Sequence, residues 1–397
     1  MHSRKAAWLD AEQAVAALGV SRATLYAYVS RGRIRSEAAP GGERRRRYSR
    51  DDIERLKARS RERRNPEKAA EQALYWGLPI LESAITLIAD EHMYYRGHDA
   101  ATLARERSVA DVAALLWTGT ADGAALGAPA RIAAARLPRK GAPFIAAAQS
   151  ALAFASAADA LAYDLRPRTV AHTGWRILWL LTRLAGGGDG AGDTIDAVLA
   201  SAWGVPRAAE LLRAALIASA DHELNVSTFT ARCVASAGGS PYGVVIAGLA
   251  ALEGTKHGGA TARIEAAWDA LHRARDVRAA LTERLRRGET IEGFGHPLYP
   301  NGDPRAALLL GMLPKAKASA FARELAATAQ TVLGEAPTLD FALVAVARTL
   351  GLPNGAALAL FAIARSMGWI GHAIEQYEAN AIIRPRAKYV GPTPPAL

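Results

Sequence analysis

Apolar residues recur at helical spacing along most of the chain, beginning with the segment WLDAEQAVAAL at residues 8–18. Ala and Leu dominate these segments and runs of β-branched residues are rare, which favours helices over strands. From Leu74 onward the pattern continues, and strand candidates are confined to short pieces such as residues 93–96. We therefore predict a mainly α fold in which a short front module precedes a large helical body.

The front module reads as helix, short turn, helix, followed by two short extended pieces. Asp10 and Gln13 form a capping-box pattern at the start of the first helix, and residues 19–21 make the turn before the second. Pro40-Gly41-Gly42 predicts the turn between the extended pieces, and Asp51-Asp52 opens another helix. This order of elements predicts a winged helix-turn-helix module.

The formal net charge of +11 is concentrated in this module. Residues 1–66 hold 17 Lys and Arg against 8 Asp and Glu, a net charge of +9, so the rest of the chain carries only +2. A basic module is therefore attached to a nearly neutral body, and the two need separate explanations. Residues 58–73 are charged and contain Asn65-Pro66, which predicts a linker between them.

The stretch LGVSRATLYAYVSRGRI, followed by RRYSRDDIERL, resembles the MerR/excisionase-type winged helix-turn-helix family over about residues 8–57. In such modules the second helix enters the major groove and the basic wing contacts phosphates. The DNA contacts implied by this resemblance are Arg22, Thr24, Tyr26, Arg44, Arg45 and Arg46. Two alternatives stay open: the arginines form a solvated face, or the module serves protein contacts.

The cysteine content and the lengths of the apolar runs indicate in which cellular compartment the protein is located. Cys233 is the single cysteine, which excludes an internal disulfide and suits a reducing cytoplasm. The N-terminus has no long apolar core of a secretory signal, and no window approaches the roughly 18 uninterrupted apolar residues of a membrane span. We expect a soluble, cytoplasmic protein that does not bind membranes.

Candidate chemistry begins in residues 221–260. His222 is followed by Asn225 and Ser227, which is unusually polar for a segment flanked by Ala, Leu and Val. His257 stands next to two glycines, whose small size leaves room for a ligand to approach the backbone. Either histidine alone is more often structural, but two at the ends of a predicted helix pair favour a site.

Further polar residues stand in apolar or glycine-rich surroundings downstream. The turn GFGHPLYPNGDPRA holds His296 and Arg305, while Asp340 lies just ahead of an apolar helix. Arg365 lies inside another apolar helix, and Arg384 follows it. Taken singly, Asp340 is a helix cap, Arg365 a member of a buried ion pair and Arg384 a solvated charge. Together, three arginines, three histidines and an aspartate suit acid–base chemistry on a dicarboxylate.

These motifs resemble, in the same order, those of the citrate synthase family. They are DHELNVSTF (221–229), GTKHGGAT (254–261), GFGH (293–296), DPR (303–305), LDF (339–341) and IRPR (383–386). The resemblance covers about residues 74–397. It implies an all-helical fold with a large subdomain, about 74–258 and 352–397, and a small one, about 259–351.

The activity implied by the resemblance is an acyl transfer that condenses oxaloacetate with acetyl-CoA and water to give citrate and CoA. Asp340 takes the place of the base that removes a proton from the acetyl methyl group. His257 takes that of the neutral histidine that donates to the thioester oxygen, and His296 that of the histidine that polarises the oxaloacetate carbonyl. The reaction uses no cofactor beyond acetyl-CoA as substrate, and no metal.

Binding residues are implied by the same resemblance. His222, Arg305 and Arg365 match residues that hold oxaloacetate. Arg384 matches one contributed across a dimer interface, so a homodimer or a higher homo-oligomer is expected. The residues in CoA-contact positions are Gly293, Phe294 and Gly295.

Several positions depart from the common bacterial pattern of the family. They are Thr255 and Lys256 in place of Pro-Leu, Thr261 in place of Asn, Pro297 in place of Arg, and Thr338 in place of Asn. The choice of acyl group therefore stays open, and a 2-methylcitrate synthase that uses propionyl-CoA is one alternative. The other is a DNA-binding transcription regulator whose body only senses a ligand. A sensor has no need of Asp340, because a carboxylate repels the carboxylates of such a ligand.

Overall fold

The computed structural model describes residues 8–30, 34–38, 46–53, 81–128, 142–187, 190–315, 317–387 and 389–392. The chain divides into two compact units, Met1–Glu82 and Ser83–Leu397, and each has its own hydrophobic core. The predicted linker at residues 58–73 lies outside the described residues.

The first unit contains a helix pair and a small antiparallel sheet. Its elements are β1 (Trp8–Leu9), α1 (Ala11–Leu18), α2 (Arg22–Ser30), β2 (Ser36–Ala38) and β3 (Arg46–Ser49). The strands lie in the order β1-β3-β2. The predicted capping box is confirmed: the Asp10 carboxylate accepts from the Gln13 amide at 2.8 Å, and the Gln13 side chain accepts from the Asp10 amide at 3.2 Å. The predicted helix-turn-helix and the two extended pieces are present.

The second unit opens with a three-stranded antiparallel sheet and is otherwise helical. Its strands are β4 (Thr86–Ala89), β5 (His92–Tyr95) and β6 (His98–Asp99). Its helices are α3 (Ala100–Glu106), α4 (Val109–Thr118), α5 (Phe144–Ala158), α6 (Pro167–Ala185), α7 (Ile195–Ala202), α8 (Ala209–Ala218), α9 (Val226–Ser236), α10 (Pro241–Leu252), α11 (Gly259–His272), α12 (Val277–Arg286), α13 (Pro304–Met312), α14 (Lys317–Leu333), α15 (Leu339–Leu350) and α16 (Ala356–Ala379).

Helix α16 runs through the centre of the second unit and packs against α6, α9 and α10. Glycines on its neighbours permit this close packing: a Cβ at Gly248 of α10 would lie 2.5 Å from the Trp369 ring, and one at Gly174 of α6 would lie 2.8 Å from Ile370. Within the described part of the chain, α16 alone is long and apolar enough to cross a membrane, but 94% of that window is buried inside the protein. It is the core helix on which the candidate site is built.

Candidate active site

His222 lies in the loop between α8 and α9 and is almost fully buried. Its Nε2 atom is 3.0 Å from the Tyr299 hydroxyl, and its ring centroid is 5.2 Å from that of His296. Burial, followed by the nearby charges of Arg305 and Arg365, lowers the pKa of His222 well below its usual value. The imidazole is therefore neutral near pH 7.

His296 follows the glycine-rich turn, and a backbone contact fixes its tautomer. The amide of Leu298 donates to Nδ1 at 3.2 Å, so the ring proton of the neutral form sits on Nε2. Burial and the charge of Arg305 lower the pKa of His296. A neutral imidazole with a proton on Nε2 can donate a hydrogen bond to a carbonyl oxygen.

His257 lies in the tight turn before α11 and contacts the start of α9. Its Nε2 atom is 2.9 Å from Ser227 Oγ, and burial lowers its pKa to about 4. Ser227 Oγ also lies 2.7 Å from the Asn225 side-chain oxygen and accepts from the Trp369 indole at 3.3 Å. The hydroxyl has one proton to donate, either to Asn225 or to His257. In the second case the imidazole proton sits on Nδ1, the other ring nitrogen.

Arg305 is buried and paired. It donates to the Asp303 carboxylate through Nε at 2.9 Å and Nη2 at 2.8 Å, and its guanidinium lies 5.4 Å from the Tyr299 ring centroid. Burial lowers the pKa of Arg305, but the attraction of Asp303 is stronger and raises it overall. One edge of the guanidinium is thus held by Asp303, which leaves Nη1 for a ligand.

Arg365 is buried without a counter-ion. Its Nε donates to the Ser219 carbonyl at 3.0 Å, and its guanidinium lies 4.6 Å from the Phe361 ring centroid. Among the described residues no carboxylate lies within ion-pair distance of Arg365, so its interpretation as half of a buried ion pair is wrong. Burial lowers its pKa to about 10, so the side chain is still charged at neutral pH. A buried cation of this kind is costly unless it is paired, and an anionic ligand can supply the partner.

Asp340 lies in the first turn of α15, beside the segment that carries His296. Two backbone hydrogen bonds join the segments, from Gly295 to Ala336 at 2.9 Å and from Thr338 to Gly293 at 2.8 Å. Asp340 is not the helix cap, because Thr338 occupies that position. Burial raises the pKa of Asp340, and Arg305 and Arg365 oppose that rise. The aspartate therefore lies within electrostatic reach of both arginines.

The predicted CoA contacts form a tight turn. Gly293 has φ +94° and Gly295 has φ +75°, and a Cβ on Gly293 would lie 3.0 Å from Phe341 Cβ. The Phe294 ring packs on Phe341 with centroids 4.9 Å apart. Glycine is required at both positions because of the positive φ angles and the close approach of neighbouring atoms.

Arg384 is not brought together with these residues. It lies on the extended segment after α16, is exposed and forms no ion pair with a described residue of its own chain. The side chains that the sequence did not single out are Tyr299 and Asp303, which touch His222 and Arg305 respectively. Both stand between His296 and Arg305 in the sequence, so the turn motif that contains these two residues was the signal by which they could have been found.

The predicted DNA contacts lie in the first unit. Arg22 and Tyr26 are exposed on α2, four residues apart and so on one face, with Arg22 bonded to Glu12 at 2.9 Å. Thr24 is half-buried and bonds to Ser21 at 2.9 Å. The remaining three are Arg46, exposed at the start of β3, and Arg44 and Arg45, which lie outside the described residues.

Groups of three or more His, Cys, Asp or Glu side chains that could hold a metal ion are absent from the described residues.

Comparisons with known proteins agree with these two units. A model of the citrate synthase C-terminal domain matches residues 74–386, and a helix-turn-helix domain model matches residues 8–61. Citrate synthase 2 of Bacillus subtilis is 34% identical over 194 residues, 47% of this chain and 52% of that protein. The 2-methylcitrate synthase of Shewanella oneidensis is 35% identical over 193 residues, 47% of this chain and 51% of that one. The chain thus spans about half the length of the curated relatives it matches.

A solved structure extends the likeness in fold. It is citrate synthase of Thermoplasma acidophilum in a ternary complex with carboxymethyl coenzyme A and oxaloacetate. It matches with a TM-score of 0.67 at 24% identity, over 81% of this chain and 96% of that one. The predicted fold, a mainly α citrate-synthase-like body preceded by a helix-turn-helix domain, is confirmed.

Proposed function

Because the chain belongs to the citrate synthase family, we propose that it is an acyltransferase that condenses oxaloacetate with acetyl-CoA and water to give citrate and CoA. The observation that carries this proposal is the buried Arg365, which has no counter-ion among the described residues, in a site that also holds neutral histidines and Arg305. Such a site binds a small anion with more than one carboxylate. The reaction needs no cofactor beyond the acyl-CoA substrate.

Oxaloacetate is proposed to bind between the two buried arginines. Arg365 and the Nη1 group of Arg305 each supply charged donors for a carboxylate, and His222 supplies a further hydrogen bond. We propose that Arg384 of a second copy completes the site, since Arg384 is exposed and unpaired among the described residues of its own chain. The active form on this proposal is a homodimer.

Carbon–carbon bond formation is proposed to start at Asp340. Its carboxylate removes a proton from the acyl methyl group, and the electrons of that C–H bond move toward the thioester oxygen. His257 stabilises this oxygen as the enol forms, by a hydrogen bond from Nδ1. Supporting this role, the Ser227 hydroxyl lies 2.9 Å from His257 Nε2 and can hold the proton on Nδ1.

The enol carbon then attacks the ketone carbon of oxaloacetate, whose oxygen takes up a proton. His296 is proposed to donate at this oxygen, and the fixed proton on its Nε2 supports that role. The product thioester is finally hydrolysed by water, which cleaves the C–S bond and releases CoA. Because burial raises the pKa of Asp340, the carboxylate is a stronger base than an exposed one.

Water has to be excluded during condensation, which suits closure of a small subdomain over a large one. We propose residues 259–351 as the small subdomain and residues 74–258 with 352–397 as the large one. In support, α15 packs against α11, α13 and α14 within the proposed small part. The tight turn at Gly293, Phe294 and Gly295 is proposed to contact CoA.

The identity of the acyl group separates two versions of the proposal, since one matched relative is a citrate synthase and another a 2-methylcitrate synthase. The test is release of free thiol by the purified full chain with oxaloacetate and either acetyl-CoA or propionyl-CoA. We expect turnover with acetyl-CoA. Faster turnover with propionyl-CoA would favour the 2-methylcitrate alternative, and no turnover with either ester would overturn the enzymatic function.

DNA binding by the first unit is a second proposed function, carried by the exposed face of α2 with Arg22 and Tyr26 and by the basic strand at Arg46. An exposed basic helix and wing suit phosphate contacts along a duplex. We propose that this occurs in the cytoplasm, where one chain can serve both functions. The test is binding of the full chain to duplex DNA, which should weaken steeply with salt. Absence of binding at low salt would overturn it and leave the basic surface for protein contacts.

A further inference from the structure

The loop that presents His222 follows one face of the central helix α16. Arg365 Nε donates to the Ser219 carbonyl at 3.0 Å, and one turn later the Gly368 amide donates to the Ala220 carbonyl at 3.1 Å. Gly368 is required because a Cβ there would clash with the loop. Ser219 and Ala220, which precede His222 in this loop, are therefore held by two positions one turn apart on the same face of α16.

Asp221 is the next residue of the loop, and it is held through its own buried carboxylate. Asp221 and His372 are both fully buried, and His372 Nε2 lies 3.3 Å from Asp221 Oδ1. Asp221 Oδ2 also accepts from the Thr86 hydroxyl at 2.6 Å and from the Glu223 amide at 3.2 Å. Burial raises the pKa of Asp221, but His372 and the other donors more than offset this effect and lower it overall. The side chain is therefore a carboxylate.

The bond from the Glu223 amide closes a strained turn around His222. Glu223 has φ +50°, a left-handed conformation that a residue with a side chain adopts at a cost. The Asp221 carboxylate accepts the amide of this residue, so the hydrogen bond spans His222 and fixes the backbone on both sides of it. The direction in which His222 points thus depends on a carboxylate that is itself too deeply buried to touch a substrate.

We infer that Asp221 is a positioning residue for oxaloacetate: anchored by His372 and Thr86, it holds the strained turn at Glu223 and thereby aims His222 at the substrate. The inference rests on the proposed function, because it assigns an effect on the binding of oxaloacetate. It concerns neither proton transfer nor the binding of the CoA ester. Asp221 therefore acts on one substrate and leaves the other unaffected.

The primary test is Asp221→Asn in the full chain. The amide keeps the size of the side chain, but it loses the negative charge that holds His372 and one of the two acceptor oxygens. We expect KM for oxaloacetate to rise at least about tenfold, with KM for the acyl-CoA unchanged within about twofold. An unchanged KM for oxaloacetate, or an equal rise for both substrates, overturns the inference.

A second variant separates positioning from general stability. Glycine adopts a positive φ without cost, so Glu223→Gly removes the strain that the carboxylate has to oppose. We expect this variant alone to keep KM for oxaloacetate within about twofold, and in the Asp221→Asn background to recover several-fold of the lost affinity. A double variant no better than Asp221→Asn shows that Asp221 acts by another route and overturns the inference.

Matched removals of a hydroxyl provide the control. Thr86→Val removes a contact to the Asp221 carboxylate, whereas Thr182→Val removes a buried hydroxyl that bonds within its own helix to Leu178 at 2.7 Å. We expect the first to raise KM for oxaloacetate about threefold and the second to leave it unchanged. If Asp221→Asn does not fold, this pair of variants carries the test, and equal KM values overturn the inference.

Failure of the proposed function gives a different result. If the wild-type chain turns over neither CoA ester, calorimetric titration with oxaloacetate still compares binding by the wild type and by Asp221→Asn. Binding that weakens at least about tenfold in the variant supports the positioning role without any catalysis. Equal binding by the two proteins overturns it.

Discussion

Arginine side chains serve opposite purposes in the two units of the chain. In the first unit Arg22 and Arg46 are exposed, and the ion pair of Arg22 with Glu12 lies in water, with side-chain exposures of 59% and 83%. In the second unit Arg305 and Arg365 are 6% and 2% exposed. The same type of side chain is thus left hydrated at Arg22 and Arg46 and stripped of water at Arg305 and Arg365.

The difference in hydration decides what each charge can recognise. Exposed charges act in a high dielectric and are screened within about 10 Å at moderate salt, so they attract any polyanion of suitable shape. Buried charges act in a low dielectric, but they are costly unless a partner of the right geometry is supplied. Asp303 supplies it for Arg305, whereas Arg365 is left for a ligand. On the proposed functions, the first unit makes weak, salt-sensitive contacts and the second binds a specific small anion.

The largest effect is expected from the buried charge that the proposed reaction uses as a base. Asp340→Asn should lower kcat about 10³-fold, since general base catalysis contributes 10²–10⁴-fold. Oxaloacetate binding should persist because Arg305 and Arg365 are untouched. Free-thiol release measures the first quantity and calorimetry the second. The control is Asp276→Asn, an exposed aspartate that caps α12; a near-normal kcat for Asp340→Asn would refute the base assignment.

Removal of the partner of a buried arginine is expected to have the next largest effect. Asp303→Asn leaves Arg305 charged and buried without compensation, which should lower the free energy of unfolding by about 3 kcal/mol. In the first unit Glu12→Gln breaks a pair that water already solvates, and the loss should stay below about 1 kcal/mol. Chemical denaturation of the two variants compares them. Similar losses would show that burial does not separate the two units as proposed.

The lowered pKa of His257 in the candidate site should make the stability of the chain fall at acid pH. The pKa of His257 is about 4 in the folded chain, below the roughly 6.5 of an unfolded histidine. Between these two pH values the unfolded state binds more protons than the folded state. The contribution of His257 to the free energy of unfolding is therefore fully present above pH 6.5 and is lost as the pH drops toward 4. The contribution is about 3 kcal/mol at 1.36 kcal/mol per pKa unit. Thermal unfolding across this range should show a shallower slope for His257→Gln, and an identical slope would contradict the prediction.

Local signals in the sequence were sufficient for the helical class and for the elements of the first unit, whereas the fold of the second unit followed from the resemblance to a family. Helical spacing, the Asp10 capping box and the turn before α2 are all encoded within a few residues, and the structure has them. The grouping of His222 with His296 and Arg305 follows from motif order together with the resemblance to a family, and the structure brings these side chains together.

Contacts between distant residues could not be predicted in the same way. Taken alone, Arg365 suits a buried ion pair, yet its Nε bonds to a carbonyl oxygen 146 residues away in the chain. Asp221 and His372 are separated by 151 residues, and nothing local in either segment indicates the other. Such pairings depend on how helices pack, and helical periodicity specifies which face is buried but not which partner it meets.

The smallest effect is expected on the exposed side of the comparison, at Arg46. This residue begins β3, is exposed, and can contact one phosphate of a duplex. Arg46→Ala in the full chain should weaken DNA binding about fivefold at low salt and reduce the slope of log K against log salt by about 1, whatever the DNA sequence. The matched control is Arg286→Ala, because Arg286 is also an exposed arginine but belongs to the second unit, with 75% of its side chain accessible. Fluorescence anisotropy over a salt series measures both variants. If Arg286→Ala weakens binding as much as Arg46→Ala does, the attraction comes from the overall charge of the chain, and the first unit is not a dedicated DNA-binding surface.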